Sequence, residues 1–274
     1  MPQRRTAADR PGDHTVAKRE LRRGSDRKER IIQAIVASRV DSKVIPNRAQ
    51  VRTFLRKYVA DVPFEDLDGR SPRIMAEIGV SHLEFGATRR RGQPKVRIYT
   101  PTEEEHGYTS AFTFIEMVND DMPFLVNSVS AAINRYGLTV HITVHPIIRV
   151  CRDSRGGLQS IPAARSKDGE RESFIRFAVD RETDPKVLRD LEKEIRQVLA
   201  DIKLAVRDWQ KMRAKMAETR EALEQGPPRA DATLRAESQA FLQWLADDHF
   251  TFLGYREYAL TDRNGRTYLK PVKG

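Results

Sequence analysis

The residues of this 274-residue sequence whose types and spacing best suit chemistry lie in one short acidic turn. Two adjacent carboxylates, Asp120 and Asp121, stand between a predicted strand and a predicted helix. Carboxylates in this position can satisfy the free N–H groups at a helix N-terminus and complement its dipole. The same N–H groups and loop can instead hold a ligand. The candidate ligand loop or subunit contact therefore consists of Asn119, Asp120, Asp121, Met122, Pro123 and Phe124.

Two histidines and the single cysteine are the next candidates for chemistry. His141 and His145 share one face of a predicted strand, but four residues of strand separate them by about 13 Å, too far for one metal ion to bridge. We interpret both as histidines packed in a sheet. Cys151 has no neighbour that would activate its thiol, so we interpret it as a small apolar filler.

The common nucleotide and hydrolase motifs are missing from the sequence. It contains no GxGxxG, no GxxxxGK[ST] and no GxSxG. We therefore predict no catalytic, cofactor-binding or metal-binding residue in this chain. A dense aromatic group is expected to pack in a core or a domain interface; it consists of Phe241, Trp244, His249, Phe250, Phe252, Tyr255 and Tyr258.

The composition points to a water-soluble protein of the cytoplasm. No apolar run approaches the roughly 18 residues of a membrane span, and a single cysteine suits a reducing compartment. The net charge is +10, and residues 1–30 supply half of it, with ten Lys/Arg against five Asp/Glu. Because that excess lies in a predicted tail, we do not expect specific nucleic-acid binding.

A helical cap is predicted to precede the sheet. Residues 1–24 lack apolar periodicity and are expected to form a disordered basic tail. Residues 25–93 contain three helix signals: a capping box at Asp26, a cap at Asn47, and Ser71-Pro72 with an expected end at Gly79. The helix after Asn47 should bury one apolar stripe, formed by Val51, Phe54, Leu55, Tyr58 and Val59.

Residues 94–184 are predicted to form a βαββα sheet unit. Strands are expected at residues 95–100, 112–117, 138–150 and 173–179. Residues 119–121 should break the second of these strands. Pro123 should then start a helix that ends at Gly137 in a left-handed cap. The apolar face of that helix comprises Leu125, Val129, Ala132, Ile133 and Tyr136.

A long helix and a further α+β segment follow the sheet. Apolar residues repeat every seven positions over residues 185–223, which predicts one long helix over 185–225, packed along another helix or over the sheet. Residues 229–274 begin with a helix from Ala232 that should bury Phe241, Leu242 and Leu245. A strand at 250–258 and a hairpin turn at Asn264-Gly265 follow. Because the chain stops just after the return strand, we expect this segment to be incomplete.

Four runs of the sequence resemble the large NAD-specific glutamate dehydrogenases of bacteria. They are NDDMPFLVNSV (119–129), VHITVHPIIRV (140–150), VRDWQKM (206–212) and FLQWLADDHFTFLGYREY (241–258). The resemblance implies an α+β regulatory region: a helical cap, an ACT-like βαββα sheet unit, a long heptad-patterned helix, and the start of a second ACT-like or other α+β domain.

The same resemblance implies a function in regulation or oligomerisation. The family oxidises glutamate to 2-oxoglutarate and ammonium with NAD, and no position here matches its catalytic motifs, so NAD would bind elsewhere in the parent enzyme. It implies a homo-oligomer and allows an amino acid as effector. The run DMPFLV also resembles the turn of amino-acid-binding ACT domains, which usually have glycine where this chain has Phe124. The alternative is a free-standing ACT-like sensor or oligomerisation module.

Overall fold

The fold is known from a computed structural model that describes residues 13–106, 108–163, 165–225, 231–263 and 265–272. The chain forms two compact units, residues 1–198 and residues 199–274. The α+β class predicted from the sequence is confirmed, with helices, an antiparallel sheet and one long helix.

A helical cap opens the first unit, with α1 at Asp13–Ala37, α2 at Arg48–Ala60, α3 at Phe64–Leu67 and α4 at Pro72–Phe85. Asn47 caps α2 as predicted, because its side-chain oxygen accepts hydrogen bonds from the N–H groups of Ala49 and Gln50. Ser71 caps α4 in the same way. The whole predicted stripe of α2 is buried: Val51, Phe54, Leu55, Tyr58 and Val59.

The start of α1 differs from the prediction. The helix begins at Asp13 rather than near Asp26, so residues 13–24, predicted to be disordered, are helical. Lys, Arg, Glu, Ala and Leu dominate that stretch, and their helix propensity acts without any apolar periodicity. The rest of the predicted tail, residues 1–12, lies outside the described residues.

The end of α4 also differs from the prediction. The helix continues through Gly79 to Phe85, and Gly86 follows it as the cap. Gly79 serves close packing instead, because a β-carbon there would lie 2.7 Å from Leu55 Cδ2. The predicted helix end at Gly79 was therefore wrong. A glycine is needed at this position for close contact between two helices, not for a C-terminal cap.

The sheet of the first unit has six antiparallel strands. They are β1 Lys95–Tyr99, β2 Phe112–Asp120, β3 Val140–Val144, β4 Ile147–Arg152, β5 Leu158–Ser160 and β6 Glu170–Asp180. The short helix α5 (Glu103–His106) joins β1 to β2, and α6 (Leu125–Arg135) joins β2 to β3. The strand order is β1-β2-β6-β4-β5, with β3 also paired to β6.

Two strand predictions need correction. β2 continues through Asn119 and Asp120, which pair with β6 instead of breaking the strand. The single strand predicted over 138–150 is divided into β3 and β4 at Pro146, which has no N–H to donate to a ladder. Both pieces still pair with the same strand, β6.

A strand that precedes the βαββα unit completes its sheet. In a full βαββαβ unit, the last strand lies beside the first. Here β1 takes that outer position beside β2, with Ile98 opposite Ile115. The predicted order of elements is therefore correct, and the sheet edge is filled from the N-terminal side.

Helices cover both faces of this sheet. The cap packs on one face, where its core includes Val118, Ile148 and Phe174 of the strands. On the other side of the sheet, α6 and α7 (Pro185–Glu224) are joined by an ion pair between Arg135 and Glu194. The helix α6 buries Leu125, Val129, Ala132 and Ile133 as predicted, whereas Tyr136 stays 36% exposed.

A buried ionic row crosses three strands under the cap. Arg97 of β1, Glu116 of β2 and Arg176 of β6 are register partners. Glu116 accepts a 2.7 Å hydrogen bond from Arg97 Nε and lies 3.5 Å from Arg176 Nε. Burial alone would raise the pKa of the Glu116 carboxyl, but the positive groups around it outweigh burial and lower the pKa.

His82 of α4 lies beside this row and should make stability depend on pH. Tyr58 donates its O–H to His82 Nδ1 at 3.0 Å, and Nε2–H donates to the Met117 carbonyl at 3.3 Å. Burial lowers the pKa of His82 from 6.5 to about 4. This neutral histidine therefore stabilises the fold above pH 6.5, and that stability is lost as pH falls through about 4.

We expect the fold to lose about 3 kcal/mol through His82 between pH 7.5 and pH 4, because the unfolded chain binds that proton more readily. Urea unfolding measured across this range should show a flatter pH dependence for His82→Gln than for the natural chain. His249→Gln, at an exposed histidine, is the matched control. Equal slopes for His82→Gln and the natural chain would contradict the prediction.

The second unit contains the rest of α7, helix α8 (Ala232–Trp244), a π-helical turn (Leu245–His249) and a hairpin of β7 (Tyr258–Arg263) and β8 (Arg266–Pro271). The helix α7 is a single element of 40 residues, as the heptads predicted. The hairpin and its turn at Gly265 are also confirmed; Asn264 lies outside the described residues.

Two predictions for the second unit are wrong. Residues 250–257 are not a strand, which begins only at Tyr258. No residue of α8 is buried, and Phe241 is 58% exposed. Apolar periodicity identifies the face that a helix can bury, but it does not show whether a partner covers that face.

Candidate functional site

The structure divides the six predicted site residues between two places. Asn119 and Asp120 are the last residues of β2. Asp121, Met122 and Pro123 form the connection, and Phe124 precedes the first residue of α6, Leu125. The helix therefore begins two residues later than predicted. Only the residues from Asp121 onward line a common hollow before α6.

Asp120 is held on the cap side of the sheet. Its Oδ1 accepts a 2.6 Å hydrogen bond from Arg89 Nη2, and its Oδ2 accepts a 2.8 Å bond from the Gly92 N–H. The same Arg89 nitrogen donates to Glu172 Oε1 at 2.6 Å. Burial disfavours the charged guanidinium, but both carboxylates together raise the pKa of Arg89. Both carboxylate oxygens of Asp120 therefore bind groups of the protein, and the residue has a structural role.

Asp121 is held on the side of the hollow. Its Oδ2 lies 2.9 Å from Arg171 Nη2, and its Oδ1 accepts a 3.1 Å hydrogen bond from Ser173 Oγ. Its N–H also donates to the Arg171 carbonyl at 3.1 Å. Both of its carboxylate oxygens therefore already have partners, although the side chain remains 18% exposed.

His145 extends this chain of polar groups into the hollow. Its Nε2 lies 3.1 Å from Ser173 Oγ. Because the Ser173 hydroxyl donates its proton to Asp121, its oxygen accepts from His145, and Nε2 is the protonated ring nitrogen. Burial lowers the pKa of His145, and nearby Asp121 only partly opposes this effect. The prediction of a histidine packed in the sheet agrees with this contact.

Asn119 is not among the residues that line the hollow before α6. Its side chain donates to the Asp120 carbonyl at 3.1 Å, and the residue is only 4% exposed. It pairs with Ser173 in the β2–β6 ladder. Asn119 is therefore a buried residue of the strand rather than part of the connection to α6.

The hollow before α6 has a volume of about 450 Å³ and is open to solvent. It is lined by residues 121–127 together with His145 and Ile147. The N-cap residue Phe124 makes no side-chain hydrogen bond to α6, so the N–H groups of the first helical turn, beside the hollow, receive no cap from it. Such N–H groups favour a carboxylate.

Phe124 adopts a left-handed backbone at φ 71°, the one non-glycine residue with positive φ in the described parts of the chain. The glycine-like conformation of the turn is therefore kept with a phenylalanine in it, and the ring is 43% exposed. Left-handed geometry costs an L-residue with a β-carbon roughly 1–2 kcal/mol.

We expect Phe124→Gly to be about 1 kcal/mol more stable than Phe124→Ala, because both lose the ring and only glycine also loses the strain. Urea unfolding of the two variants gives the difference. If Phe124→Ala equals or exceeds Phe124→Gly in stability, the backbone at this position is not strained.

His141, also predicted to pack in the sheet, is instead exposed and makes a structural contact at the surface. His141 Nε2 lies 2.6 Å from Asp180 Oδ1, and this bond lowers the pKa of Asp180 to about 2. Within the described residues, no group of three or more His, Cys, Asp or Glu could hold a metal ion. Sequence reasoning missed Arg89, Arg171 and Ser173, and only the basic run at residues 89–91 gave a signal.

A family model for "Glutamate dehydrogenase, ACT1 domain" matches residues 54–195, about half of the chain. The chain belongs to this family. The ACT1 match starts in α2, includes every strand of the six-stranded sheet, and ends in the first turns of α7. The hollow before α6 and the contacts of Asp120 and Asp121 therefore all lie inside it.

Relatives of this ACT1 protein are NAD-specific glutamate dehydrogenases. The one from Halomonas elongata is 39% identical over 228 residues, and the one from Pseudomonas aeruginosa is 33% identical over 235 residues. These alignments cover 82% and 84% of this chain, but only 14% of either relative. The relative from Mycobacterium tuberculosis is 26% identical over 185 residues, with 11% of its length covered.

None of the helices in the described part of the chain is both long enough and apolar enough to cross a bilayer.

Proposed function

We propose that this chain is the N-terminal regulatory and oligomerisation part of a cytoplasmic NAD-dependent glutamate dehydrogenase. Such an enzyme converts L-glutamate, NAD and water to 2-oxoglutarate, ammonium and NADH. We assign no step of that reaction, and no NAD contact, to residues of this chain. The supporting observation is the ACT1 match, together with identity of 33–39% to dehydrogenases of which the chain spans only 14%.

Within this proposal, the hollow before α6 receives an amino-acid effector or a neighbouring subunit. The open N–H groups of α6 suit an α-carboxylate, and His145 and Asp121 stand at its edge. Phe124 occupies the position where glycine would let a ligand approach most closely. Its half-exposed ring makes this hollow selective for small groups or for a complementary surface.

The native polypeptide mass tests the proposal first. An antibody raised against residues 1–274 should detect, in an extract of the source cells, a band several times heavier than 31.4 kDa. A band at 31.4 kDa would exclude a dehydrogenase that contains this chain. The purified chain alone should produce no NADH from glutamate and NAD, and measurable production would contradict the lack of a catalytic core.

The role of the turn has its own test. Each amino acid is added to the chain during thermal unfolding, with Phe124→Gly as the variant that opens the hollow. A ligand of this site should raise the melting temperature of Phe124→Gly more than that of the natural chain. Phe250→Gly, at an exposed phenylalanine outside the hollow, is the matched control. A subunit contact instead predicts a changed oligomeric mass for Phe124→Gly.

The alternative is a free-standing ACT-like sensor or oligomerisation module. It is favoured by the first unit, whose sheet has helices on both faces and its own core. This alternative predicts that the polypeptide in the cell has the 31.4 kDa mass of this chain and that two copies of it form a dimer in solution. It also predicts stabilisation by one amino acid, and the absence of both dimer and ligand would exclude it.

A further inference from the structure

A second concave site lies away from the hollow, on the edge of the sheet that carries β4 and β5. It is an open cleft of about 520 Å³. The loop at residues 89–91 forms one wall, and residues 150–154 with Gly156 form the other. Gly169, Glu170 and Glu172 of the β6 side complete it. Four arginines line this cleft: Arg89, Arg90, Arg91 and Arg152.

The floor of the cleft is a rigid ionic network. Arg152 donates from Nε and Nη2 to the two oxygens of Glu172, at 2.7 and 2.8 Å. It also donates to the Gly156 and Gly86 carbonyls, both at 2.9 Å. Glu172 is 1% exposed, and Arg89 is its second cationic partner. With Asp120, which also accepts from Arg89, two carboxylates balance the two guanidinium groups, and the network fixes the position of the wall loops.

The two wall loops are tied to each other by backbone hydrogen bonds. The Arg89 N–H donates to the Gly156 carbonyl at 2.9 Å, and the Leu158 N–H donates to the Ala87 carbonyl at 2.8 Å. The cleft is therefore formed before any ligand arrives, which reduces the entropy lost on binding.

The rim of the cleft carries two exposed arginines, Arg90 and Arg91, that the protein pairs weakly or not at all among the described residues. Arg90 is exposed, and its guanidinium has no partner among the described residues. Arg91 pairs only with Glu170, at 3.3 Å, and both side chains are mostly exposed, at 78% and 64%. An exposed pair of this kind is weak and exchanges readily with another anion.

The acidic residue Asp153 also lines the cleft, and its carboxylate is held by hydrogen bonds from its own loop rather than by the rim arginines. Its Oδ1 accepts hydrogen bonds from the N–H groups of Arg155 and Gly157, both at 2.8 Å. Its other oxygen accepts from Gln159 at 3.0 Å. The hydroxyl of Ser154, in contrast, has no partner in the described part of the chain.

We propose that this cleft binds a compact anion that carries carboxylate or phosphate groups, held by Arg90, Arg91 and the Ser154 hydroxyl. Guanidinium groups match such anions with two parallel hydrogen bonds. Inorganic phosphate and a short dicarboxylate share this chemistry. The site is separate from the hollow before α6 and does not depend on the dehydrogenase assignment, so either proposal can fail alone.

The test is titration of the ¹⁵N-labelled full chain with inorganic phosphate and, separately, with succinate. We expect saturable amide shifts centred on residues 89–92, 150–156 and 169–172, and weaker binding as sodium chloride is raised. The tighter of the two probes identifies phosphate or carboxylate as the preferred group. Shifts centred elsewhere, or shifts that do not saturate with either probe, would overturn the proposal.

Matched substitutions separate specific binding from general charge. Arg90→Gln should weaken the tighter probe about fivefold or more, the scale of one charge-assisted contact. Arg52→Gln removes an equivalent exposed arginine on α2 and should leave affinity within about twofold. Equal losses for the two variants would mean non-specific attraction to a basic protein and would overturn the site.

Discussion

Replacing Glu172 by alanine is expected to remove about 3–5 kcal/mol from the free energy of unfolding of the first unit. The side chain is 1% exposed and lies between Arg89 and Arg152, themselves 1% and 10% exposed. Its loss leaves two guanidinium groups buried with too few anions, and Asp120 can serve only Arg89. Removal of one partner from a buried ionic group costs far more than the net value of the group.

Glu170→Ala is the matched control for Glu172→Ala. It lies two residues earlier on β6 and pairs with an exposed arginine, so its loss should cost no more than about 1 kcal/mol. Urea unfolding of both variants at one pH gives the comparison. Glu172→Gln, which keeps the shape and one hydrogen-bond acceptor, should fold even where alanine does not. Similar costs for Glu170→Ala and Glu172→Ala would contradict the prediction.

Gly169→Ala should be the next most damaging change, with a loss of about 3 kcal/mol or more. Gly169 has φ 76°, and a β-carbon there would lie 2.4 Å from the Val150 carbonyl oxygen and 3.2 Å from Cys151 Sγ. The obstacle is backbone of the paired strand β4, which cannot move without disturbing the ladder to β6. The energetic cost of the left-handed backbone and the cost of the collision with β4 therefore add.

Gly137→Ala isolates the strain from the collision. Gly137 ends α6 at φ 75°, but a β-carbon there would meet nothing within 4 Å. Only the left-handed backbone is penalised, which predicts a loss of about 1 kcal/mol. The difference between the two alanine variants, measured by urea unfolding, is the cost of the collision. Equal losses of unfolding free energy for Gly169→Ala and Gly137→Ala would contradict the prediction, because they would show that β4 moves aside at no cost.

Local signals in the sequence were sufficient for much of the cap and sheet. The Asn47 cap and its apolar stripe were predicted correctly because both depend on residues within one helix. The heptads of α7 and the turn at Gly137 were also predicted correctly, because each depends only on residues that are near in sequence. The position of Gly79 was informative, but its effect depends on Leu55 of another helix, which is distant in sequence.

The candidate site was harder to predict than the fold. Asp120 and Asp121 are adjacent in sequence, yet strand geometry directs them to different partners, Arg89 and Arg171. Both arginines come from other elements, so no local pattern could have assigned them. The burial predicted for α8 failed for a related reason, since an apolar face does not specify the surface that covers it.

The position of β1 has a consequence for the order of folding. Its partner residues in β2 are near in sequence, from Tyr99 opposite Phe114 to Lys95 opposite Val118, so this edge closes a short loop at low entropic cost. Every strand of the six-stranded sheet lies within residues 95–180. We therefore expect a growing chain to complete its sheet once β6 has emerged, before α7 and the second unit exist. In pulsed hydrogen exchange, the amides of β1 should gain protection no later than those of β4.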